Sequence, residues 1–447
     1  MRARWLPVLL LGLAGVLPAR ARELWKSTDG SKVLEGHAFY KTYASELFLP
    51  QSLVDVTEAM KSLGVPNVAV VPKAVGLATQ SLRGWGRFVD GPWELDAGWE
   101  LSAVASTTAG LLPTASLSAV PSATAGPAAS RRLVDFDPIL YQAGGLTLAQ
   151  NLDLLAVKRT LPFGTLTIGR QVLSWGTGAF WNPTDLLSPF APTDIDREVR
   201  HGVDAARLAI ALGAVSELDL LWLPQKKLRN QGGVARVVTN VHDFDVSVSL
   251  AKYMRDVVGG ADFAGDLGPI SIHGEAAWTE PLDSGAGFLR AVAGGQWMPT
   301  DKTTLLAEYY FNGFGATAAS GYLTKMEDPR ETSGQISGAG RHYLGLSASY
   351  AASDLVSISG STLVNLQDPS AILVPLVEWW FEQSVIFRAG GFLSVGRGAD
   401  AHVFDGLDAA DVSANDAAFH SAVTTLGLRS EYGITPFGVF IEVGLYL

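Results

Sequence analysis

The sequence has no cysteine and, after its first residues, no long apolar run. Without cysteine the chain cannot use disulfides, so an exported protein of this kind depends on packing or on a membrane for its stability. No stretch of about 18 uninterrupted apolar residues follows the N-terminal segment, which excludes ordinary transmembrane helices. Long segments with the 3.6-residue period of a helix are also few, and this argues against a typical soluble enzyme.

Motifs for catalysis and metal binding are missing as well. The Gly-x-Ser-x-Gly elbow of hydrolases is absent, and the seven histidines form no cluster with metal-ligand spacing. His420-Ser421 is the only His–Ser neighbour pair in a strand-like context, and a barrel lipase would also need an oriented acidic or amide partner. The net charge of −11 argues against nucleic-acid binding. We therefore expect no enzymatic activity, no cofactor, no metal and no nucleic-acid partner.

The first 21 residues have the features of an export signal. Arginines precede an apolar run from Trp5 to Leu17, and Ala19-Arg20-Ala21 has the small-x-small pattern of a cleavage site. The alternative is an uncleaved anchor helix, but this run is too short to span a bilayer comfortably. We expect a signal peptide over residues 1–21 and a single domain over residues 22–447.

Over residues 437–447, apolar side chains at the odd-numbered positions alternate without exception with small, charged or aromatic side chains at the even-numbered positions. Successive side chains of a strand point to opposite faces, so this segment is expected to be a β-strand with one apolar face. The same pattern recurs along the chain, and 48 glycines exceed the usual ~7 % of residues. One polar and one apolar face, repeated many times, is typical of strands with water inside and lipid outside. The predicted fold is all-β: a transmembrane antiparallel β-barrel of about 16–18 strands with long extracellular loops. The repeats cover residues 146–157, 243–250, 342–350, 356–366 and 385–394.

The segments between strands are predicted to alternate between short turns and long loops. Residues 435–438 have the composition of a short turn, which leaves the strand parity unresolved, and we expect the misread segment in 47–90 or 225–265. Residues 101–130 carry no charge but contain three prolines, so we expect a low-complexity external loop. Residues 53–63 are predicted to form a short helix, either within a loop or as a plug in the lumen.

The stretch Gly169-Arg170-Gln171…Ser174-Trp175-Gly176, followed by an Asn-Pro loop, resembles a Gly-Arg-Gln-x-x-Ser-Trp-Gly stretch of porin-like outer-membrane families of Gram-negative bacteria. These families include alginate-export-like barrels and related uncharacterised groups. The resemblance covers about forty residues closely and the rest as architecture. It implies a passive or selective channel in the cell outer membrane, often for acidic sugars or other small nutrients.

The loop over residues 176–202 is the candidate constriction because acids and bases are interleaved there. Facing charges of opposite sign across a lumen create a transverse field that orders water and selects charged solutes. The alternative is a solvated loop with surface ion pairs, each contributing ~0–1 kcal/mol. The candidate pore-lining residues are Asp185, Asp194, Asp196, Arg197, Glu198 and Arg200.

Arg170 lies on the same face as Leu166 and Ile168 if its strand is regular. A charge that faces lipid at the bilayer midplane costs ~2–4 kcal/mol, so we expect a bulge or a position near the membrane interface.

The function predicted from these features is an outer-membrane channel for small hydrophilic solutes. Its expected partners are outer-membrane lipids and the solute, and assembly into a homo-oligomer stays open. A non-conducting barrel that anchors surface polysaccharide or serves envelope assembly is the alternative.

Overall fold

The computed structural model describes residues 22–66, 68–108, 132–136, 138–194, 197–414 and 417–446. The predicted signal peptide lies outside these residues. Twenty strands are present in the described part of the chain: β1 (Arg22–Lys26), β2 (Lys32–Phe48), β3 (Ala74–Asp90), β4 (Trp93–Ser106), β5 (Ile139–Ala143), β6 (Leu146–Leu161), β7 (Gly164–Gln171), β8 (Val203–Ala211), β9 (Glu217–Leu223), β10 (Gly232–Val241), β11 (Phe244–Tyr253), β12 (Asp256–Leu267), β13 (Ile270–Pro281), β14 (Phe288–Thr300), β15 (Thr303–Asn312), β16 (His342–Ala351), β17 (Val356–Asn365), β18 (Ser370–Glu382), β19 (Val385–Val395) and β20 (Phe437–Tyr446).

Eighteen of these strands form a closed antiparallel barrel. Each strand pairs with its neighbours in chain order, except that β4 pairs directly with β6. The ring closes where β20 pairs with β2 over ten residues, from Phe39 opposite Tyr446 to Phe48 opposite Phe437. The two remaining strands lie beside the ring, where β1 pairs with β2 and β5 pairs with β6. The predicted all-β barrel and its strand number are confirmed.

The strand faces follow the predicted alternation. In β20, Phe437, Val439 and Ile441 are exposed on the outer surface, whereas Phe440 and Glu442 are buried inside the barrel. The outer surface is therefore apolar and the interior carries most of the strand charges. This arrangement places each charged strand residue discussed below, except Arg170 and Asp204, in the lumen.

One end of the barrel carries only short turns, and every long connection lies at the other end. The short turn predicted over residues 435–438 is absent: residues 435 and 436 end the long connection of residues 396–436 that joins β19 to β20, and Phe437 and Gly438 begin β20. This assignment was wrong because a turn-like composition does not require a strand directly before it. The final strand thus starts at the end of the barrel that carries the long connections, and the number of strands in the ring is even. The segment that was misread is therefore residues 435–438, not a segment in 47–90 or 225–265.

The predicted low-complexity loop also needs a correction. Residues 101–106 belong to β4 rather than to the loop, because they pair with β3 and β6 and place Ser102 and Val104 on the buried inner face. An uncharged run of small residues satisfies a strand as well as a loop. Residues 109–131 lie outside the described residues.

Five short helices are described in the long connections. The predicted helix is confirmed as α1 (Gln51–Ser62), whose Val56 and Met60 pack against Phe404 and other residues of the long connections. This contact places α1 among the loops at the barrel end rather than as a plug within the lumen. Within the described ranges, no helix has the length and hydropathy needed to cross a bilayer. The other helices are α2 (Tyr322–Met326), α3 (Pro329–Thr332), α4 (Ala409–Ala414) and α5 (Ala417–Thr425).

Candidate constriction in the barrel lumen

The connection between β7 and β8, residues 172–202, folds into the barrel, and we call it the lumen loop. Its residues bond to β13 and β15, which lie beyond β9–β12 on the far side of the ring. Other residues of the same loop bond to β2, β19 and β20. The lumen loop therefore spans the interior and is anchored at two places on the wall.

Glu275 of β13 forms the first part of one anchor. Its carboxylate accepts hydrogen bonds from the backbone N–H groups of Thr177 at 2.5 Å, Gly178 at 2.7 Å and Thr184 at 3.1 Å. The hydroxyl of Thr184 donates a fourth bond at 2.8 Å. The side chain is almost completely buried. A carboxylate that accepts several N–H groups forms charge-assisted bonds, each contributing about 1.5–3 kcal/mol.

Glu308 of β15 completes this anchor. It accepts the backbone N–H groups of Ala179 at 2.6 Å, Phe180 at 3.1 Å and Trp181 at 2.9 Å. His273 Nε2 lies 2.9 Å from the same carboxylate. Two wall glutamates thus hold the loop by its backbone over residues 177–184.

Aromatic packing fixes the same part of the loop. The ring of Trp181 stacks on Tyr310 with centroids 5.2 Å apart and also contacts Tyr343 at 5.8 Å. The ring of Phe180 lies over Gly345 of β16, where a Cβ would come within 2.4 Å of Phe180 Cδ2. Glycine is required at position 345 by this close approach, because any side chain there would displace the ring.

The structure places Asp185 and Arg200 together at the base of the lumen loop. Arg200 Nη1 lies 2.7 Å from Asp185 Oδ2, and the hydroxyl of Ser174 donates to the same oxygen at 2.9 Å. The other oxygen accepts the N–H of Ser188. Asp185 is only 1 % exposed, and this burial raises the pKa of its carboxyl, although Arg200 opposes the shift. In this position Asp185 organises the loop from within.

The remaining candidates lie in the second half of the loop. Asp194 accepts the N–H of Ala191 at 2.7 Å, which closes a tight turn. The exposed guanidinium of Arg197 donates to the carbonyl oxygens of Asp194, Ala179 and Pro192, so it ties the two halves of the loop together. Asp196 lies outside the described residues.

Glu198 forms the second anchor, at the place where the barrel closes. Its carboxylate lies 2.9 Å from Lys41 Nζ of β2 and 2.7 Å from Arg388 Nη2 of β19. The hydroxyl of Tyr446 of β20 donates to it at 2.6 Å. Burial alone would raise the pKa of Glu198, but Lys41, Tyr446 and Arg388 outweigh it and lower the pKa to about 2. The group is therefore charged throughout the ordinary pH range.

Arg388 gathers further carboxylates around this anchor. Its Nε lies 2.8 Å from Glu378 Oε1, and its Nη1 lies 2.6 Å from Glu442 Oε1. One guanidinium therefore bonds to two wall acids and to the loop. Because β2, β19 and β20 all take part, the same charge network joins the first and last strands of the ring.

Arg290 of β14 connects the lumen loop to the barrel mouth. It donates to the carbonyl oxygen of Pro183 in the lumen loop and to that of Gln335 in the connection between β15 and β16, both at 2.9 Å. The side chain is 2 % exposed. A single buried cation therefore holds two separate loops.

A cavity of about 680 Å³ lies between the start of the lumen loop and the short turn of residues 212–216. Trp175 and Arg236 are part of its lining, with the guanidinium 5.8 Å from the ring centroid. Arg207 also lines it and is paired with Asp219 at 2.7 Å. The cavity thus presents charges of both signs and one aromatic face to the lumen.

The interleaved charges in the sequence draw attention to this loop, but the local pattern does not indicate the wall residues that hold it. Glu275, Glu308, Lys41 and Arg388 each occupy an inward position of an alternating strand. A charge at such a position is a usable signal, because only a paired or solvated group is stable there. Which wall residues meet the loop depends on how it folds across the ring, and no local pattern encodes this.

No known protein-family profile and no curated protein sequence matches the chain. Three of the solved structures that share its architecture each have a TM-score of 0.50. Pseudomonas aeruginosa OccK5 (OpdH) is 9 % identical, with 92 % of this chain and 98 % of that chain covered. Acinetobacter baumannii OccAB1 is 10 % identical, with 96 % and 99 % covered. Pseudomonas aeruginosa OccK11 (OpdR) is 9 % identical, with 96 % and 100 % covered.

These similar structures are outer-membrane porins. The chain therefore has a porin-like barrel fold. At such low sequence identity the likeness concerns the fold, and it does not extend to solutes or to individual residues.

We expect the combined change Glu275→Gln and Glu308→Gln to release the lumen loop from the wall. An amide has one acceptor oxygen instead of two, so at least one buried N–H loses its partner at a cost of about 1–3 kcal/mol. Chymotrypsin should then cleave the folded barrel after Phe180 or Trp181, within the released segment, faster than it cleaves the wild type.

The matched control is Glu327→Gln, an exposed glutamate in the connection between β15 and β16. This variant should be cleaved at the wild-type rate. If the double variant resisted chymotrypsin as well as the wild type, the two glutamates would not be the anchor.

Proposed function

We propose that the protein is an outer-membrane channel through which small hydrophilic solutes pass. The observation that carries the proposal is a closed barrel with an apolar outer surface, a charged interior and a loop folded across that interior. A barrel satisfies every backbone hydrogen bond between neighbouring strands, which is what lipid demands of a spanning structure. Polar and charged groups inside give dissolved solutes partners during passage.

The lumen loop is the proposed constriction of this channel. It spans the interior between two anchors, and the charged groups of Arg197 and Glu198 lie within it. Prolines at positions 183, 189 and 192 help a long loop to hold a narrow shape without a core of its own. Its proposed selectivity residues are Asp194, Asp196, Arg197, Glu198 and Arg200. Asp185 supports them through its bond to Arg200.

The non-conducting alternative is not favoured, because an anchor for surface polysaccharide needs no loop of this kind across its lumen. The resemblance to alginate-export-like barrels is kept as a proposal about ancestry, and the Gly169–Gly176 stretch supports it. We also propose that the protein has no catalytic activity. Its partners in this proposal are outer-membrane lipids and the solute, and self-association into a homo-oligomer is a further proposal.

Purified wild-type protein should conduct ions in planar lipid bilayers. The expected result is a series of discrete conductance steps, each from the insertion of one channel unit. A barrel that folds, shows heat-modifiable gel mobility and inserts, but gives no conductance with any small electrolyte, would contradict the channel and favour the anchoring alternative.

The proposed location in the outer membrane is tested by substitutions at two neighbouring residues of β17, one of which faces outward and the other the lumen. Ile358 is 49 % exposed on the outer wall, whereas Ser359 faces the lumen. Ile358→Arg should impair assembly in the outer membrane, because a charge on the lipid face is destabilising, by up to ~2–4 kcal/mol at the midplane and by less toward the interfaces. Ser359→Arg adds the same charge to the watery side and should be tolerated. Equal outer-membrane yields of both variants would contradict this placement.

The selectivity proposal is tested by neutralising three of the four acids of the lumen loop with Asp194→Asn, Asp196→Asn and Glu198→Gln, while Asp185 is kept. Removing negative charge at a constriction should shift ion selectivity toward anions, and more so at low salt because screening is weaker there. The matched control, in the connection between β19 and β20, is a triple Asp→Asn variant at positions 405, 408 and 411. Its selectivity should be unchanged. Unchanged reversal potentials in the loop variant would mean that its acids only stabilise the loop.

A further inference from the structure

The wall of the barrel is incomplete at one place. Strands β7, β8 and β9 have 8, 9 and 7 residues, and every other strand of the ring has at least 10. β7 pairs with Leu155–Leu161 of β6, but β6 begins at Leu146. On the same edge β5 pairs with residues 146–149 of β6. Among the residues that the structure describes, the edge of β6 over residues 150–154 therefore has no strand partner on this side.

A segment outside the strands lies against this open edge. It comprises residues 132–136, and we call it the strap. Beside it, the N–H of Gln150 donates to the carbonyl oxygen of Pro138 at 3.3 Å, and Arg170 Nη1 donates to that of Leu152 at 2.6 Å. An unpaired backbone group in hydrocarbon costs several kcal/mol, so these contacts replace missing strand pairing.

An ion pair on the wall holds the strap. Arg170 Nε lies 2.8 Å from Asp204 Oδ1, at the adjoining ends of β7 and β8. Asp204 Oδ2 accepts the N–H groups of Leu133 at 2.7 Å and Val134 at 3.2 Å, and Arg170 Nη2 donates to the carbonyl oxygen of Val134. The Arg170–Asp204 pair thus binds the polar backbone of the strap on the side that faces the barrel.

This contact also explains how Arg170 avoids lipid. It pairs with Leu155 without a shift of register, on the face that carries exposed Ile168, as a regular strand predicts. There is no bulge at this point, and Arg170 lies one residue from the end of β7. Its side chain is nevertheless only 3 % exposed, because the strap covers it.

The strap turns apolar side chains outward. Leu133, Val134 and Phe136 are 41, 45 and 45 % exposed, and Leu155 and Ile168 on the adjoining outer wall are 41 and 54 % exposed. The apolar outer surface thus continues across the gap. On the inner side, Arg132 points the opposite way and donates to Asn151 Oδ1 at 2.7 Å and to the carbonyl oxygen of Gly202 at 3.1 Å.

We infer that the strap is a lipid-contacting section of the wall, which seals the gap above β7 and β8 and meets lipid acyl chains with Leu133, Val134 and Phe136. The inference rests on the proposed membrane location. Acyl chains are the occupant that fits, because the backbone groups of Leu133 and Val134 are bonded toward the barrel and three side chains of the strap continue the apolar outer surface. Asp135 is exposed between them, and a charge on the lipid face costs little only near the membrane interface, so the strap meets the acyl chains close to that interface. Irregular backbone is accepted in hydrocarbon only when its polar groups are satisfied in this way.

Fluorescence quenching with single cysteines tests this inference, and the absence of native cysteine makes each label unique. Phe136→Cys carries an environment-sensitive fluorophore, and the folded full-length protein is placed in vesicles of phospholipids with brominated acyl chains. Val248→Cys, on the outer wall of β11 and 65 % exposed, is the lipid control. Asp354→Cys, in the turn between β16 and β17, is the water control. The label at position 136 should be quenched by brominated lipid like the lipid control, and iodide in the buffer should quench only the water control.

Adding Asp204→Asn removes the charge that binds the strap. We expect the label at position 136 to lose most of its quenching by brominated lipid and to become accessible to iodide. The label at position 248 should keep its lipid quenching in the same background, which shows that the barrel is still folded and inserted.

Other outcomes overturn one proposal or the other. If position 248 is quenched by brominated lipid but position 136 is quenched by iodide in the protein with intact Asp204, the strap lies in water and the inference fails. If position 136 is shielded from both quenchers, protein covers the strap and a second copy replaces lipid as its partner. If Asp204→Asn changes nothing, the ion pair does not hold the strap. If position 248 itself escapes lipid quenching, the membrane location fails instead.

Discussion

Every level of this structure depends on the satisfaction of backbone hydrogen bonds around a closed ring. A strand in a barrel finds partners for its N–H and C=O groups on both sides, and a single open edge would expose a row of unpaired groups. The pairing of β2 with β20 closes the ring over ten residues. Where the ring is locally short, beside β7, side chains and the strap take over the missing partners. With no cysteine to cross-link the chain, this pairing is the main constraint on its shape.

The interior is organised by buried charges that bond to each other and to loop backbone. Breaking a buried pair by removing one partner costs about 3–5 kcal/mol, because the other charge remains in a poor environment. Arg388 bonds to three carboxylates, one of which belongs to the lumen loop. The loop and the closure of the ring are therefore stabilised by the same residues. A change that loosens one is expected to weaken the other.

The sequence alone was sufficient for the barrel, because alternation with period two acts locally and repeats in most strands. It also located the lumen loop, since interleaved charges between two strands stand out in an otherwise apolar region. The prediction from sequence failed at residues 435–438 and 101–106, because their composition suits the end of a strand as well as a turn or a loop. It could not identify Glu275 or Glu308 as anchors, because their partners are about a hundred residues away in the chain. The sequence likewise could not show how Arg170 is shielded from lipid, since the strap that covers it follows β4 whereas Arg170 lies on β7.

The wall binds the lumen loop through backbone N–H groups over residues 177–184, and this has a consequence for how the lining of the barrel can change during evolution. Glu275 and Glu308 recognise the course of the chain rather than the identity of most side chains they hold. Substitutions at Thr177 or Ala179 would alter what the loop presents to the lumen while leaving its attachment in place. The two glutamates have no such freedom. The structure therefore separates loop positions that can vary from wall positions that must be kept, and the lining of the lumen can change without rebuilding the barrel.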